Sequence, residues 1–242
     1  IKPSEKTSFI KEKIQITKNN ILNLLRNAVF YFAEVNPKII ENENNSVNII
    51  YDIQTYDKSI IEKINFIGNR NIKDKKLRNV IVSEEGKFWK FLTRNKYLDI
   101  NRIDLDKRLL KNFYKNKGYY NVRIQNASAK LLDENEFELI FNISAGYKYY
   151  FNTLKLILPD DYDVNNFKEI NKLFGKLENE VYSYAKVEDI LDEIDLIALQ
   201  KQYEFIDATI SEKIVEKNKL DFHISIGETE KYYVEKINIL GN

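Results

Sequence analysis

His223 is the only histidine and there is no cysteine in the 242 residues, so the side chains available for chemistry are few. With one histidine and no cysteine, zinc sites and Ser/His or Cys/His nucleophilic arrangements are essentially excluded. His223 itself falls between Phe222 and Ile224 in an alternating stretch, which turns it to the outer side of a strand. Asp160-Asp161 follows Pro159 and reads as a turn rather than a carboxylate pair. The seven glycines, at 68, 86, 118, 146, 175, 227 and 241, are scattered at element ends and form no phosphate-cradling loop. The cluster Phe88-Trp89-Lys90-Phe91 reads as a long loop folded onto its own module in preference to a partner-binding aromatic patch. The pairs Tyr149-Tyr150 and Tyr232-Tyr233 read as packing at module junctions. An enzyme would have to be built from carboxylates, lysine and tyrosine alone, and the sequence points to none. No cofactor is implied.

Binding by bulk charge is equally poorly supported. Lys and Arg number 38 against 37 Asp and Glu, a net charge of +1, which gives no electrostatic case for nucleic acid. No apolar run approaches the ~18 residues of a membrane-spanning helix. Methionine is absent even at position 1, and the chain opens in what reads as mid-domain. We therefore expect an internal piece of a longer protein, from which a leader or membrane segment could have been removed.

The elements that position these residues recur. Ile61-Glu-Lys-Ile-Asn-Phe-Ile-Gly-Asn69 returns as Val234-Glu-Lys-Ile-Asn-Ile-Leu-Gly-Asn242. A weaker copy lies between, where Lys148-Tyr-Tyr-Phe leads into Thr153-Leu-Lys-Leu-Ile-Leu158 as Lys231-Tyr-Tyr-Val leads into Lys236-Ile-Asn-Ile-Leu240. Such a period suits small tandem domains. In the clearest module a strand around Ile64 and Phe66 ends at Gly68-Asn69, and a helix is expected over 74–82. The loop 83–98 then leads to a second helix, opening near Asp99 or Asn101 and stopped by Gly118, with Ile103, Leu105, Leu109, Leu110 and Phe113 largely on one side. Strands over 119–129 and 137–143 close it.

The next module repeats the order, with helices over 164–174 and 186–202 and strands over 205–210 and around 220–226. Ahead of them stands a second half only, with a helix carrying Ile14, Ile21, Leu24, Leu25 and Ala28 and strands around 35–40 and 47–53. The organisation is 1–57 as the later part of one module, 58–147 and 148–230 as whole modules, and 231–242 as the first strand of another. Strands that alternate apolar and polar residues bury one face, so helices cover that face while the other face and at least one strand edge meet solvent.

This order and several local phrases resemble the POTRA (polypeptide-transport-associated) domains of the outer-membrane protein assembly factors of Gram-negative bacteria, and look most like an alphaproteobacterial member. The phrases are the strand ending in Gly-Asn at 68–69 and 241–242, Phe113-Tyr114 before Gly118-Tyr119, Val35-Asn-Pro-Lys-Ile39, Phe88-Trp-Lys-Phe-Leu92 with Tyr97-Leu-Asp99, and Tyr233-Val-Glu-Lys-Ile. Asn27-Ala-Val-Phe-Tyr-Phe32 departs from the pattern, as does Gln202-Tyr203 where the preceding module has Gly118-Tyr119, and both leave the turn geometry there open.

The resemblance implies an α+β fold of tandem β-α-α-β-β modules, each a three-stranded mixed sheet on two antiparallel helices, in the second to fifth POTRA positions. It implies that the second strand of each module lies at the sheet edge and accepts an extended segment of another chain. The residues so implicated are Tyr120, Asn121, Val122, Arg123, Ile124, Gln125, Asn126 and Ala127, and Phe205, Ile206, Asp207, Ala208, Thr209 and Ile210. The implied partners are unfolded outer-membrane β-barrel proteins, accessory lipoproteins of the assembly complex, and a C-terminal membrane β-barrel of the same chain. The implied location is the periplasmic face of the outer membrane. The alternative is a structural adaptor of the same modules in a division or secretion complex, without substrate delivery.

Overall fold

The computed structural model describes residues 3–42, 46–68, 71–87, 93–160, 162–203 and 206–228. The repeated phrase at 234–242, the Tyr232-Tyr233 pair, the expected first strand at 231–242, the cluster 88–91, Asn69, Asp161 and Phe205 lie outside the described residues. The elements run α1 (Pro3–Asn27), β1 (Glu34–Glu41), β2 (Val47–Gln54), β3 (Ile60–Ile67), α2 (Asp74–Arg78), α3 (Ile100–Lys115), β4 (Arg123–Asp133) and β5 (Glu136–Ser144). They continue with β6 (Tyr150–Ile157), a 3₁₀ turn (Val164–Phe167), α4 (Lys168–Leu177), α5 (Tyr184–Lys201), β7 (Ile206–Glu216) and β8 (Lys219–Glu228). The fold is α+β, with β1 and β2 as an antiparallel pair followed by two three-stranded sheets of order β3-β5-β4 and β6-β8-β7. Both sheets are mixed: the central strand is parallel to the first strand and antiparallel to the second.

The chain forms two compact units, one of Ile1–Leu110 with Arg123–Ser144, the other of Lys111–Val122 with Ala145–Asn242. In the first, Ile61 and Ile64 on β3, Leu77 on α2, Leu110 on α3, and Leu139 and Phe141 on β5 are fully buried. Each such side chain contributes roughly 1.5–3 kcal/mol of transfer free energy. In the second, Phe151, Phe167, Ile170, Tyr182, Ile190, Ile194, Leu220 and Phe222 form the centre of the core. His223 is half-buried on β8 between buried Phe222 and Ile224, as the alternation requires.

The two sheet modules agree down to single hydrogen bonds. The N–H of Ile60 donates to Asn135 O (2.8 Å) as that of Tyr150 donates to Asn218 O (2.9 Å). Ile61 N–H reaches Lys96 O (2.8 Å) and Phe151 N–H reaches Glu180 O (2.9 Å). Leu98 N–H reaches Ser59 O, and Tyr182 N–H reaches Tyr149 O, both at 2.9 Å. The segment before each long helix therefore bonds along the start of the first strand, on the side away from the central strand.

All three long helices that precede an edge strand end in one way. Val29, Gly118 and Gln202 take the left-handed conformation, with φ of 67°, 94° and 58°. Their N–H groups donate three residues back, to Arg26 O, Lys115 O and Leu199 O, and the next residue donates five back, Phe30 to Leu25, Tyr119 to Tyr114 and Tyr203 to Ala198. This is the Schellman arrangement. The departures at Val29 and Gln202 change the residue type and keep the turn.

Several element ends differ from the sequence reading. The helix expected over 74–82 stops at Arg78, where Val80 N–H bonds only three residues back, to Leu77 O at 3.0 Å, and beyond it Val82 N–H is taken by the Asp106 carboxylate at 2.6 Å. The helix expected from 164 begins as the 3₁₀ turn, where Asp163 accepts Asn165 N–H at 2.9 Å. The strand expected over 119–129 starts only at Arg123 and runs on to Asp133, since Tyr119, Tyr120 and Val122 spend their N–H groups on Tyr114 O, Gly118 O and Tyr119 O. The strand expected over 205–210 likewise continues to Glu216. The helix expected from 186 begins at Tyr184, and the helix opening near Asp99 is capped by that residue, which accepts Asn101 N–H at 2.9 Å.

Candidate protein-binding edges

An edge strand offers every second N–H and C=O outward, so its regularity decides how long a segment it can pair with. β4 and β7 each end their sheet order, and among the described residues neither has a strand on its outer side. Arg123, Ile124, Gln125, Asn126 and Ala127 lie on β4, while Tyr120, Asn121 and Val122 lie in the turns before it and belong to the other compact unit. Ile206, Asp207, Ala208, Thr209 and Ile210 lie on β7. β4 changes register between Ile124 and Asn126 and again between Leu131 and Asp133. β7 is regular from Ile206 to Ile214 and shifts only before Glu216. Bulges bend a strand and limit edge pairing, so β4 is straight over a shorter run than β7.

Beside each edge, the inner face of the strand and the long helix form the walls of a groove. In the first unit this groove is a cavity of ≈ 340 Å³ whose floor includes Leu98 and Phe137, with Ile100 and Ile103 on the helix and Ala127 and Ala129 on β4. Tyr31, two residues beyond the Val29 turn, lines the same cavity, and burial, then the Asp99 carboxylate, raises the pKa of its phenol. Phe32 stacks on Phe137 at 5.9 Å between ring centres.

In the second unit Tyr120, two residues beyond Gly118, takes the corresponding place. Its ring lies 5.3 Å from that of Tyr182 and 5.5 Å from that of Tyr149, and its hydroxyl donates to the Glu212 carboxylate on β7. Lys115 Nζ stands 5.0 Å from the Tyr184 ring and 5.9 Å from that of Tyr120. Burial, and then the Glu212 carboxylate, push the Tyr120 phenol well above its ordinary pKa, and burial does the same to Tyr182.

The segment 111–122 is tied to this unit by further bonds. Gly118 O accepts Tyr149 N–H at 2.8 Å, just as Val29 O accepts Ser59 N–H at 3.1 Å in the first unit. Asn116 Oδ1 accepts Ala185 N–H at 2.8 Å, supplying the N-terminal cap of α5 that Ser183 does not make. Behind β3, Asp106 is fully buried and accepts the N–H groups of Val82 and Ser83. Burial raises its pKa against the opposing pull of those donors. On the open face of β8, Asp221 accepts from Asn152 Nδ2 (2.7 Å) and Thr153 N–H (3.0 Å) at the β6 bulge, and the Asn152 bond lowers its pKa.

Tyr31, Ala129 and Glu212 were not singled out from the sequence. Laying the two modules over one another would have set Ala129 against Glu212 and so exposed the difference. Among the described residues no group of three His, Cys, Asp or Glu stands where it could hold a metal, and no helix is long and apolar enough to cross a membrane.

Residues 59–146, the first of the two sheet modules, match the sequence model of POTRA, described as surface antigen variable number repeat. The chain is similar to part of outer membrane protein assembly factor BamA. It is 23% identical to that protein from Neorickettsia risticii (strain Illinois) over 90% of this chain and 29% of the relative. It is 25% identical to that of Neisseria meningitidis serogroup B over 86% of this chain and 26% of the relative. The chain thus spans between about a quarter and a third of these relatives' length. Among solved structures, POTRA3-5 of Haemophilus influenzae BamA superposes with a TM-score of 0.56 at 16% identity, over 71% of this chain and 67% of that one.

Proposed function

We propose that this chain supplies periplasmic receiving and scaffolding modules of an outer-membrane β-barrel insertase, and that it acts by β-augmentation at the β4 and β7 edges. The modules would run 58–147 and 148–230, preceded by the later part of another at 1–57 and followed by a first strand at 231–242. The observation that carries the reading is the pair of edge strands with no outer partner among the described residues, in modules similar to those of named assembly factors. Backbone hydrogen bonds to an edge are indifferent to side-chain identity, which suits a receptor for many different unfolded β-barrel proteins. Side chains entering the groove beside β4 then add a preference for alternating apolar segments. Accessory lipoproteins and a membrane β-barrel of the same polypeptide are the further partners, and the reaction served is assembly rather than a covalent step.

The test is photo-crosslinking in cells of the source organism, with the probe scanned along β4 and β7 of the full-length protein. Adducts with outer-membrane proteins, strongest at alternate positions, are expected. Adducts confined to division or secretion proteins would instead establish the adaptor role, and an absence of adducts along both strands would remove the edges as the site.

A further inference from the structure

We infer that the two grooves are not equivalent, and that the chain's own Tyr120 and Glu212 hold the β7 groove closed while the β4 groove stands open to the side chains of an added strand. The inference rests on the augmentation reading above and says which edge can exercise it.

The register of the two sheets makes the comparison position by position. On β4, Ala127 pairs with Phe141 and Ala129 with Leu139. On β7, Ile210 pairs with Ile224 and Glu212 with Phe222. Since Leu139 and Phe222 hold the same place against the first strand, opposite Ile64 and Leu154, Ala129 corresponds to Glu212 and Ala127 to Ile210. Two small side chains therefore line the groove in one module, and a branched and a carboxylate side chain line it in the other. The phenol that follows the left-handed turn responds accordingly. On the strand Tyr31 faces Ala129 rather than a carboxylate, and the acid that acts on it is Asp99, ahead of the helix, whereas Tyr120 reaches across to the strand and bonds Glu212.

Burial records the result. Ile100 is 55% exposed and Ile103 half-buried beside β4, while at the corresponding positions Tyr184 is half-buried and Val187 only 4% exposed. The second unit also shows what fits such a groove: an aromatic ring laid against Tyr182, two residues ahead of the helix, as Tyr120 is. The occupant of the β4 groove is accordingly a large apolar side chain, aromatic or branched, borne at every second residue of an extended segment of another chain that pairs with the β4 edge. An added strand on β7 has its backbone bonds available and finds no room for its inward side chains until Tyr120 leaves.

The probe is a blocked synthetic peptide with Phe or Leu at every second position and Ser or Lys between, presented to the whole chain carrying a photo-crosslinker at Ser128 on β4 or at Ser211 on β7, both on the outer face. In the native sequence labelling at Ser128 is expected to exceed that at Ser211 by about tenfold, a factor within the free energy of seating one apolar side chain. Glu212→Ala should raise labelling at Ser211 severalfold without changing Ser128, and Ala129→Glu should lower labelling at Ser128. Should Glu212→Ala fail to fold, Tyr120→Phe removes the same hydrogen bond with the ring retained and should move Ser211 in the same direction. Equal labelling of the two edges in the native sequence, or a ratio that neither substitution moves, overturns the inference while leaving augmentation intact. Labelling of neither edge in any variant overturns augmentation itself. Crosslinking of the chain to a second copy without peptide assigns the groove to self-association and overturns the stated occupant.

Discussion

Gly118 and Gln202 occupy the same left-handed turn and carry opposite costs. A Cβ on Gly118 would meet Val181 Cγ1 at 2.6 Å, and its φ of 94° lies where L-residues are strained. Gly118→Ala is therefore expected to destabilise by about 1–3 kcal/mol, from backbone strain and overpacking together. Gln202 is exposed and pays only the backbone part, so Gln202→Gly should stabilise by roughly 0.5–1 kcal/mol. Thermal or urea unfolding of the two variants checks both signs, and a Gln202→Gly variant no more stable than the native chain would show that its left-handed turn carries no strain. The glycine at 118 announced the turn in the sequence. Val29 and Gln202 concealed the same turn, because the i to i−3 and i to i−5 hydrogen bonds that define it are backbone features which residue type only biases.

Among the elements, the edges were legible and their irregularities were not. Alternation such as Phe137, Leu139, Phe141, Ile143 states that one face of a sheet is buried, and a sheet of few strands must then leave an edge open. The start of β4 was misplaced because Tyr119, Tyr120 and Val122 are residues of strand composition that the structure uses in turns. The bulges at 124–126 and 131–133 leave no mark in the pattern, since an extra residue is indistinguishable from a phase slip until its partner strand is known. The regular stretch between them, 126–131, is where a proline should act. Proline at Ser128 or at Ala129 removes one N–H, and only one of these neighbours points its N–H outward. One variant is expected to lose peptide binding at β4 by about tenfold with little change in stability. The other should unfold earlier, having broken the ladder to β5. Binding unchanged in both would exclude backbone pairing at this edge.

At the scale of the whole molecule, the repeat and the packing divide the chain at different places. The sequence period begins a module at Lys148, because that is where the phrase recurs. The second compact unit instead begins inside α3 and takes 111–122 with it, through the Asn116 cap on α5, the bond from Tyr149 N–H to Gly118 O, and the seat of Tyr120 among Tyr149, Tyr182 and Glu212. A phrase marks where a pattern restarts, whereas a folding unit ends where buried surface and satisfied hydrogen bonds end. Only the structure shows that the close of one module's helix completes the core of the next. Fragments beginning at 100 and at 148, both ending at 242, separate the two boundaries. The shorter loses a helix cap worth about 1 kcal/mol, a backbone hydrogen bond worth about 1 kcal/mol, and the burial of one aromatic ring worth roughly 1–2 kcal/mol at its partial exposure. It is expected to be about 3 kcal/mol less stable to urea, with Tyr182 more exposed to solvent as read by quenching of tyrosine fluorescence, because Tyr120 no longer covers it. Equal midpoints and equal quenching would place the boundary where the repeat puts it and leave 111–122 as a mere connection.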